Sequence, residues 1–261
     1  MDTARARRFI EPMDADSIEL FHYRGADYYH PVNLSQTCHV LLATFVRTGE
    51  DIYLARAERY MQKLMSLCHE ADGASWAPYE MLYAVHSYSA NRLDPPWYSG
   101  MAQCEIRTVQ SRLYELTGNT EYLDSARKLF RALLVLQGTG DRWVARIDTT
   151  GYYWIEEYPL DDRPAQTLNG FVTALFGVYE YYLASHDPQA LEVWELALTT
   201  LKAYLPDFHR NGQSSLYCLG HRHEANPGYH KLHISQMRDL HRLTGDSFFL
   251  MMAEVFESFQ P

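Results

Sequence analysis

Three segments of the sequence concentrate ionisable and aromatic side chains at positions where a core-forming segment would carry aliphatic ones. They are residues 154–159 (W-I-E-E-Y-P), 215–223 (S-L-Y-C-L-G-H-R-H) and 229–236 (Y-H-K-L-H-I-S-Q). Carboxyl, phenol and imidazole groups are the side chains that most often donate or accept protons in catalysis. The three segments therefore indicate acid–base chemistry, provided that the fold brings them together.

The histidines of these segments also have the spacing of paired metal ligands. His221 is followed by His223 after one residue, and His230 by His233 after two residues. Neutral imidazoles at such spacings can bind a zinc ion. Since the second pair belongs to a motif that is explained below without an ion, we expect no metal and no cofactor. A zinc site at these histidines is kept as an alternative.

A phrase that the sequence repeats indicates which elements position these segments. A Thr-Gly pair, polar residues, an aromatic residue, Leu and then Ala recur around Gly49, Gly118 and Gly245. Gly49 and Gly118 are 69 positions apart, and Gly118 and Gly245 are 127 apart, close to twice that period. The missing copy falls at residues 185–191, where Pro188 stands at a helix-start position. The sequence therefore contains four repeated units.

Each unit is predicted to be a pair of antiparallel helices. In the second unit, apolar residues recur at helical spacing over 99–117, and Gly118 then ends the helix. Its partner is predicted over about residues 120–136. In the fourth unit, the two helices are predicted over about residues 229–243 and 247–259.

The stretches between units alternate in polarity and are rich in Tyr and Trp. They lie at residues 75–89, 142–158 and 214–221 and predict short β-hairpins. We therefore expect a mainly α fold, an α/α toroid of about four helical hairpins with short β-hairpins on one rim, where a site would be built. A linear solenoid of four repeats is the alternative.

Together with residues 96–103 (P-W-Y-S-G-M-A-Q) and 168–171 (L-N-G-F), the three segments resemble the C-terminal helical domain of the D-glucuronyl C5-epimerases. The resemblance runs over about residues 30–258, with the motifs in the family's order. Members of this family invert C5 of glucuronate within heparosan-type polymers. The resemblance implies an α/α barrel with the active site in its cleft. We expect one domain at residues 30–261, preceded by an N-terminal extension at residues 1–29.

The resemblance also implies roles for individual residues. Glu157 and Tyr158 match the family's catalytic Glu-Tyr pair, and Tyr217 matches the tyrosine of its Y-D-L-R segment. Tyr229 matches the tyrosine that opens Y-H-x-x-H. Six further residues are expected to bind the substrate: Tyr98, Gln103, Asn169, Arg222, His230 and His233.

Removal of the hydrogen on C5 of a uronate explains why such residues are needed. That hydrogen is α to a carboxylate and very weakly acidic, so its removal needs a base on one face of the ring and stabilisation of the enediolate. Inversion then needs an acid on the opposite face. We expect Glu157 to have a raised pKa and the facing tyrosine a lowered pKa, so that both can act in either direction.

Two departures from the family pattern concern the substrate. The Y-D-L-R segment reads Y-C-L-G at residues 217–220, so an arginine that could clamp the uronate carboxylate is absent. Arg222 is the candidate replacement, within a stretch at residues 209–233 that holds five of the 12 histidines and a single acidic residue. The family's N-terminal β-rich regions are also missing. We therefore expect either a uronate-containing oligo- or polysaccharide or a smaller acidic metabolite.

Composition and charge exclude other classes of function. The chain has 23 basic and 33 acidic residues and a net charge of -10, which argues against a nucleic-acid partner. No apolar run is long enough to span a bilayer. The basic N-terminus is followed by acidic residues instead of an apolar stretch, so no secretory signal is expected and the cytoplasm is the expected location. The four cysteines are expected to be reduced, and a homodimer is left open.

Four other functions stay open for the same residues. A polysaccharide lyase would remove the same proton and then expel the C4 substituent. An inverting glycosidase would use Glu157 with Asp161 or Asp162 as its acid and base. The remaining alternatives are a carbohydrate-binding or scaffold protein that has lost activity with its arginine, and an enzyme recruited to proton transfer or cyclisation on a small metabolite.

Overall fold

Eight α-helices, arranged as four consecutive pairs, make up most of the part of the chain that the structure describes. The structure is a computed structural model that describes residue 15 and residues 17–259. The helices are α1 (Pro31–Thr48), α2 (Asp51–Leu67), α3 (Gly100–Thr117), α4 (Thr120–Arg131), α5 (Leu168–Ser185), α6 (Pro188–Tyr204), α7 (Pro227–Thr244) and α8 (Ser247–Glu257).

The glycine of the repeated phrase ends the first helix of a pair. Gly49, Gly118 and Gly245 each follow a helix in the left-handed region, with φ of 70°, 71° and 71°. Each glycine N–H donates to a carbonyl oxygen four residues back, which closes the helix. His186 has this role in the third pair, with φ of 53°, and the next helix begins at Pro188. The four-unit repeat predicted from the sequence is therefore confirmed.

The first helix of each pair belongs to an inner layer, and the second helix packs outside it. Helices α1, α3, α5 and α7 contact one another in that order, whereas α2, α4, α6 and α8 pack mainly on their own partners. Tyr53, Phe130 and Trp154 are among the largest fully buried side chains of the resulting core. This is the predicted α/α toroid, and the linear solenoid is not formed.

Short antiparallel strand pairs occupy one rim of the toroid, because each lies in a segment that leads into an inner helix. All three stretches predicted to form β-hairpins contain such strands. The pairs are β1 (Phe21–Tyr23) with β2 (Ala26–Tyr28), β3 (His69–Ala71) with β4 (Ala74–Trp76), β5 (Pro78–Tyr79) with β8 (Trp97–Tyr98), β6 (Tyr83–Ala84) with β7 (Arg92–Leu93), β9 (Ala145–Ile147) with β10 (Tyr153–Ile155), and β11 (Leu216–Cys218) with β12 (His223–Glu224).

The outer helix of the second pair is shorter than its apolar spacing predicts. It ends at Arg131, and a 3₁₀ turn (Ala132–Leu134) follows. The chain changes direction there because Ala132 and Leu133 enter the core, and Leu136 then forms a β-bridge with Ala145.

Part of the predicted N-terminal extension contributes to the rim. Residues 21–28 of that extension form the β1–β2 hairpin, and Phe21 and Tyr23 pack against an aromatic cluster of the toroid. Residues 1–14 and 16 of the extension lie outside the described residues.

Two further sequence expectations concern the helices and the cysteines. None of the helices in the described ranges combines the length and the apolar character that a membrane span requires. The four cysteines are free thiols, as expected: Cys38, Cys68, Cys104 and Cys218.

Candidate active site

A cleft of about 570 Å³ opens at the rim that carries the β-hairpins. The N-terminal halves of all four inner helices line it, together with residues of the hairpins. Its volume is within the ~300–1,000 Å³ that is typical of small-molecule sites. The lining includes Phe21, Tyr23, His30, Tyr79, Tyr83, Trp97, Glu105, Glu157, Tyr158, Asn169 and Tyr229.

One wall of the cleft is a series of stacked aromatic rings. Tyr79 stacks on Trp97 with 4.1 Å between ring centroids and 10° between planes. The ring centroid of Tyr83 lies 6.0 Å from that of Trp97 and 5.5 Å from that of Tyr158. Such a wall offers flat apolar faces with hydroxyl groups at their edges, the mixture found in sites for small polar ligands.

Glu157 follows strand β10 and lines the cleft, although the residue is only 9% exposed. Thr167 Oγ1 donates a hydrogen bond to Glu157 Oε2 at 2.8 Å. The start of α5 approaches this carboxyl group closely because residue 170 is glycine: a Cβ on Gly170 would collide with Oε2. Burial raises the pKa of Glu157, although its hydrogen bonds act in the opposite direction. The predicted rise of this pKa is confirmed.

Three tyrosines, which we call the tyrosine cluster, lie beside Glu157: Tyr158, Tyr217 and Tyr229. Tyr217 Oη is 3.4 Å from Glu157 Oε2 and 3.4 Å from Tyr158 Oη. The ring of Tyr229 meets that of Tyr217 nearly edge-on, with 4.9 Å between centroids. The structure thus brings all four predicted catalytic residues together.

The expectation that a tyrosine of this site has a lowered pKa is wrong. Burial, reinforced by the nearby Glu157 charge, raises the pKa of Tyr158, Tyr217 and Tyr229. A phenolate in this place would be desolvated beside a carboxylate, so the phenols stay protonated. They are therefore hydrogen-bond and proton donors.

The described side chains that line the cleft include acids but no lysine or arginine. Glu105 of α3 joins Glu157, and its Oε2 is 3.0 Å from His39 Nε2. Burial lowers the pKa of His30 to about 4, so this imidazole is neutral at neutral pH. A ligand in the cleft is thus held by hydrogen bonds and aromatic faces.

Arg222, the predicted replacement for the family's arginine, lies in the β11–β12 turn, where it is exposed and does not line the cleft. The glycine at residue 220, where the family has an arginine, has a steric explanation. A Cβ on Gly220 would collide with the carbonyl oxygen of Pro164, and the Gly220 N–H donates to the carbonyl oxygen of Ala165 at 3.1 Å. No side chain fits at residue 220 unless the backbone moves.

Asn169, Tyr98 and Gln103 have different environments, although all three were predicted to bind the substrate. Asn169 lines the cleft, and its buried Oδ1 has no partner among the described residues, so it can accept a hydrogen bond from a ligand. Tyr98 lies outside the cleft lining, with its Oη 2.8 Å from His69 Nδ1. Gln103 is buried, and its amide bonds the backbone at Ser75 and Ala77.

His230 and His233 form a buried network around Ser215. Ser215 Oγ lies 2.9 Å from His230 Nδ1 and 2.8 Å from His233 Nδ1. His230 Nε2 donates to the carbonyl oxygens of Phe256 and Phe259. In the Y-H-x-x-H motif, the tyrosine therefore lines the cleft, and the histidines anchor α7 to the chain before β11 and to the end of α8.

Asp161 and Asp162 lie in a separate surface pocket and not in the cleft. Trp143 Nε1 donates to Asp161 Oδ1 at 3.0 Å. Glu157 therefore has neither aspartate as its partner, and the acid–base pair of the inverting glycosidase is not assembled.

Several residues at the site were missed by the sequence analysis. The alternation of Phe21 and Tyr23 around His22 is a strand signal that could have placed this segment on the rim. Tyr83 lies within a predicted rim hairpin. No local signal marks Glu105, a polar residue within a helix, or Thr167, which directly precedes a helix, because polar residues are ordinary at both kinds of position.

The chain resembles known proteins in sequence. The profile of the D-glucuronyl C5-epimerase C-terminus matches residues 72–258. An uncharacterized protein of Methanocaldococcus jannaschii is 31% identical over 159 residues, 60% of this chain and 51% of that protein. A D-glucuronyl C5-epimerase of Caenorhabditis elegans is 28% identical over 160 residues, 54% of this chain and 25% of that protein. The aligned part is thus about half of the first relative and a quarter of the second.

Solved structures share the fold at low sequence identity. A D-mannose isomerase has a TM-score of 0.63 at 12% identity, over 97% of this chain and 66% of the other. A GH76A α-1,6-mannanase from Salegentibacter sp. HEL1_6 has a TM-score of 0.60 at 14% identity, over 98% of this chain and 70% of the other. The cellobiose 2-epimerase of Bacillus thermoamylovorans B4167 has a TM-score of 0.60 at 14% identity, over 91% of this chain and 63% of the other. These likenesses show the α/α toroid, and since the family profile covers most of the sequence, the chain belongs to the D-glucuronyl C5-epimerase C-terminal family.

Proposed function

We propose that this chain is a carbohydrate epimerase that inverts C5 of a uronyl residue, with Glu157 as the base and a phenol of the tyrosine cluster as the acid. The observation that carries the proposal is a buried carboxyl group that faces a ligand-sized cleft among protonated phenols. Membership of the family supports the choice of reaction.

Ionised Glu157 accepts the proton from C5, and the electrons of the C–H bond move into the adjacent carboxylate to give an enediolate. The raised pKa makes Glu157 a stronger base than an exposed carboxylate. A phenol on the opposite face then delivers its own proton to C5. Tyr229 is our candidate for this acid, because it lines the cleft and is 38% exposed.

Tyr217 provides a route by which the site returns to its starting state. After one turnover Glu157 holds a proton and the acid lacks one. The hydroxyl of Tyr217 lies 3.4 Å from Glu157 Oε2, and its ring contacts that of Tyr229. We infer that it relays the proton between the two groups.

The enediolate is stabilised by hydrogen bonds in this proposal, since the described cleft lining has no lysine or arginine. Phenols whose pKa is raised remain protonated and can donate to developing negative charge, the principle of an oxyanion hole made from buried neutral acids. The proposed reaction has no redox step and requires no cofactor. The proposed substrate is a uronate-containing oligo- or polysaccharide, or a smaller acidic metabolite with a carboxylate next to the reacting carbon.

The test is incubation with heparosan-like and other uronate oligosaccharides in deuterated water, with C5 followed by NMR. We expect deuterium at C5 and inverted product without new ultraviolet absorbance. New absorbance from an unsaturated sugar would instead identify a lyase, and release of reducing ends would identify a glycosidase. Calorimetric binding without exchange would identify a carbohydrate-binding protein. Absence of both binding and exchange with every uronate would overturn the proposal.

A further inference from the structure

Three possible metal-ligand atoms, one sulfur and two imidazole nitrogens, converge beside the tyrosine cluster on residues to which the proposed reaction assigns no role. They belong to His86, Cys218 and His221, and all lie within 4.8 Å of one another. His86 comes from the 3₁₀ turn (Val85–Ser87) after β6, Cys218 ends β11, and His221 lies in the β11–β12 turn. Two segments that are distant in the sequence thus meet at this point.

The separations of these atoms are close to those of a tetrahedral zinc site. Bond lengths of about 2.3 Å to sulfur and about 2.0 Å to nitrogen place neighbouring donors about 3.3–3.6 Å apart. Cys218 Sγ is 3.1 Å from His86 Nε2 and 3.7 Å from His221 Nδ1. An ion would therefore need only small side-chain adjustments.

Hydrogen bonding alone does not satisfy this group. A thiol has one proton, so Cys218 can donate to only one of the two imidazoles. His221 Nε2 is buried and has no hydrogen-bond partner among the described residues. No carboxylate contacts this group in the described ranges, so nothing there holds the imidazoles as cations.

We propose that His86, Cys218 and His221 bind one zinc ion, with the fourth position left to water. A thiolate with two imidazoles is a donor set that zinc accepts, and three protein ligands with one open position form a recognised coordination pattern. The ion would tie the β11–β12 hairpin to the turn at residues 85–87. It would also place positive charge next to Tyr217.

Cys218 belongs to a segment in which the sequence departs from the family pattern. The family's Y-D-L-R segment reads Y-C-L-G at residues 217–220, so an acid is replaced by a zinc-type ligand in the same four residues that lose the arginine. Of the four histidines considered as metal ligands from the sequence, His221 alone is a proposed ligand. His230 and His233 bond Ser215, and His223 stacks on His86 with 3.9 Å between ring centroids.

The test is metal binding by the whole chain without substrate, so its outcome is independent of the proposed reaction. Metal-stripped protein is titrated with Co²⁺ and then with Zn²⁺. We expect one equivalent of Co²⁺ to bind with a thiolate-to-cobalt charge-transfer band, which Zn²⁺ abolishes. Absence of this band at stoichiometric Co²⁺ would overturn the proposal.

Variants identify the ligands. Cys218→Ser should abolish the charge-transfer band, whereas Cys68→Ser should retain it, because Cys68 lies outside the group. His221→Ala should weaken Zn²⁺ binding by more than ~10-fold, and His209→Ala, which removes a half-buried histidine outside the group, should leave it unchanged. A band that persists in Cys218→Ser, or equal binding by the two histidine variants, would place the metal elsewhere. Circular dichroism of each variant checks that it is folded.

Discussion

Glu156 and Glu157 are adjacent and both buried, yet the two sides of this dipeptide have opposite surroundings. Glu156 is 0% exposed, and Arg146 Nε donates to its Oε1 at 2.8 Å. The Gln166 N–H donates to its other oxygen at 3.0 Å. Glu157 faces the cleft, and among the described residues its hydrogen-bond donors are neutral hydroxyl groups. Burial raises the pKa of both carboxyl groups, and Arg146 opposes the rise at Glu156.

This contrast shows that the partner, and not the residue type, distinguishes a structural acid from a reactive one. The pair follows β10 at the point where the chain leaves the hairpin, with Glu156 in the core and Glu157 on the wall of the cleft. The core-facing carboxyl group is compensated by a cation. The cleft-facing group has no cation to compensate its burial, and hydrogen bonds from hydroxyl groups offset only part of the cost of its ionised form, which makes this carboxylate a strong base.

Removal of the compensating cation should have the largest effect on the protein. Arg146→Met leaves Glu156 buried without a charge partner and should lower the free energy of unfolding by ~3–5 kcal/mol. Urea denaturation measures this loss. Arg112→Met is the matched control: its half-exposed pair with Glu180 should contribute no more than ~1 kcal/mol. Equal losses in the two variants would contradict the special status of the Glu156 side.

Replacement of the cleft-facing acid should lower activity and not stability. Glu157→Gln should reduce the rate of C5 exchange by at least ~100-fold, because it removes the base, while stability is retained. The measurement is deuterium incorporation by NMR, with urea denaturation alongside. Near-normal exchange would remove Glu157 from the mechanism.

Removal of a phenol hydroxyl from the tyrosine cluster should lower turnover nearly as much. Tyr229→Phe removes the proposed acid but keeps the ring, and it should lower turnover by ~100-fold with little change in stability. Tyr98→Phe is the control, since Tyr98 lies outside the cleft lining and its loss should leave turnover per folded molecule within about twofold. If the two variants behave alike, the acid has been misassigned.

The pH dependence should report the raised pKa of both kinds of group. Glu157 must be ionised, so kcat/KM should rise with pH through a value above the ordinary 4.5 of a glutamate. The acid must be protonated. Because the pKa of Tyr229 is raised above 10.0, we expect no alkaline decline of activity at pH values up to 10. An alkaline limb near neutral pH would show a lowered tyrosine pKa and contradict this assignment.

The same shift affects stability with a defined sign. Since folding raises the pKa of Glu157, its contribution to stability is present below the unfolded-state pKa and is lost as pH rises through the folded-state value. Glu157→Gln should therefore flatten the decline of the free energy of unfolding above pH 4.5.

The smallest effect is expected at Arg222. An exposed arginine off the cleft wall should tolerate replacement, so Arg222→Ala should change exchange by no more than about twofold. Gly220→Arg should instead destabilise the protein, since a Cβ there meets the backbone at Pro164. A large loss of exchange in Arg222→Ala would show that Arg222 reaches the substrate.

The four helix pairs and the rim hairpins are predictable from the order of residues alone. Their signals are local: a glycine in the left-handed region ends a helix, and alternation or helical spacing of apolar residues sets the element. Gly49, Gly118 and Gly245 show this most directly. The resemblance of short motifs also indicated the four residues that the structure brings together around the cleft.

The role of each polar side chain around the cleft depends on how the helices and hairpins pack. This packing buried Gln103 and His233 away from the cleft, and it paired Glu156, but not Glu157, with an arginine. It raised the tyrosine pKa values that a two-base scheme would have lowered. Desolvation and charge pairing depend on atoms from segments far apart in the chain. Residue spacing carries no information about these contacts until the helices and hairpins have packed.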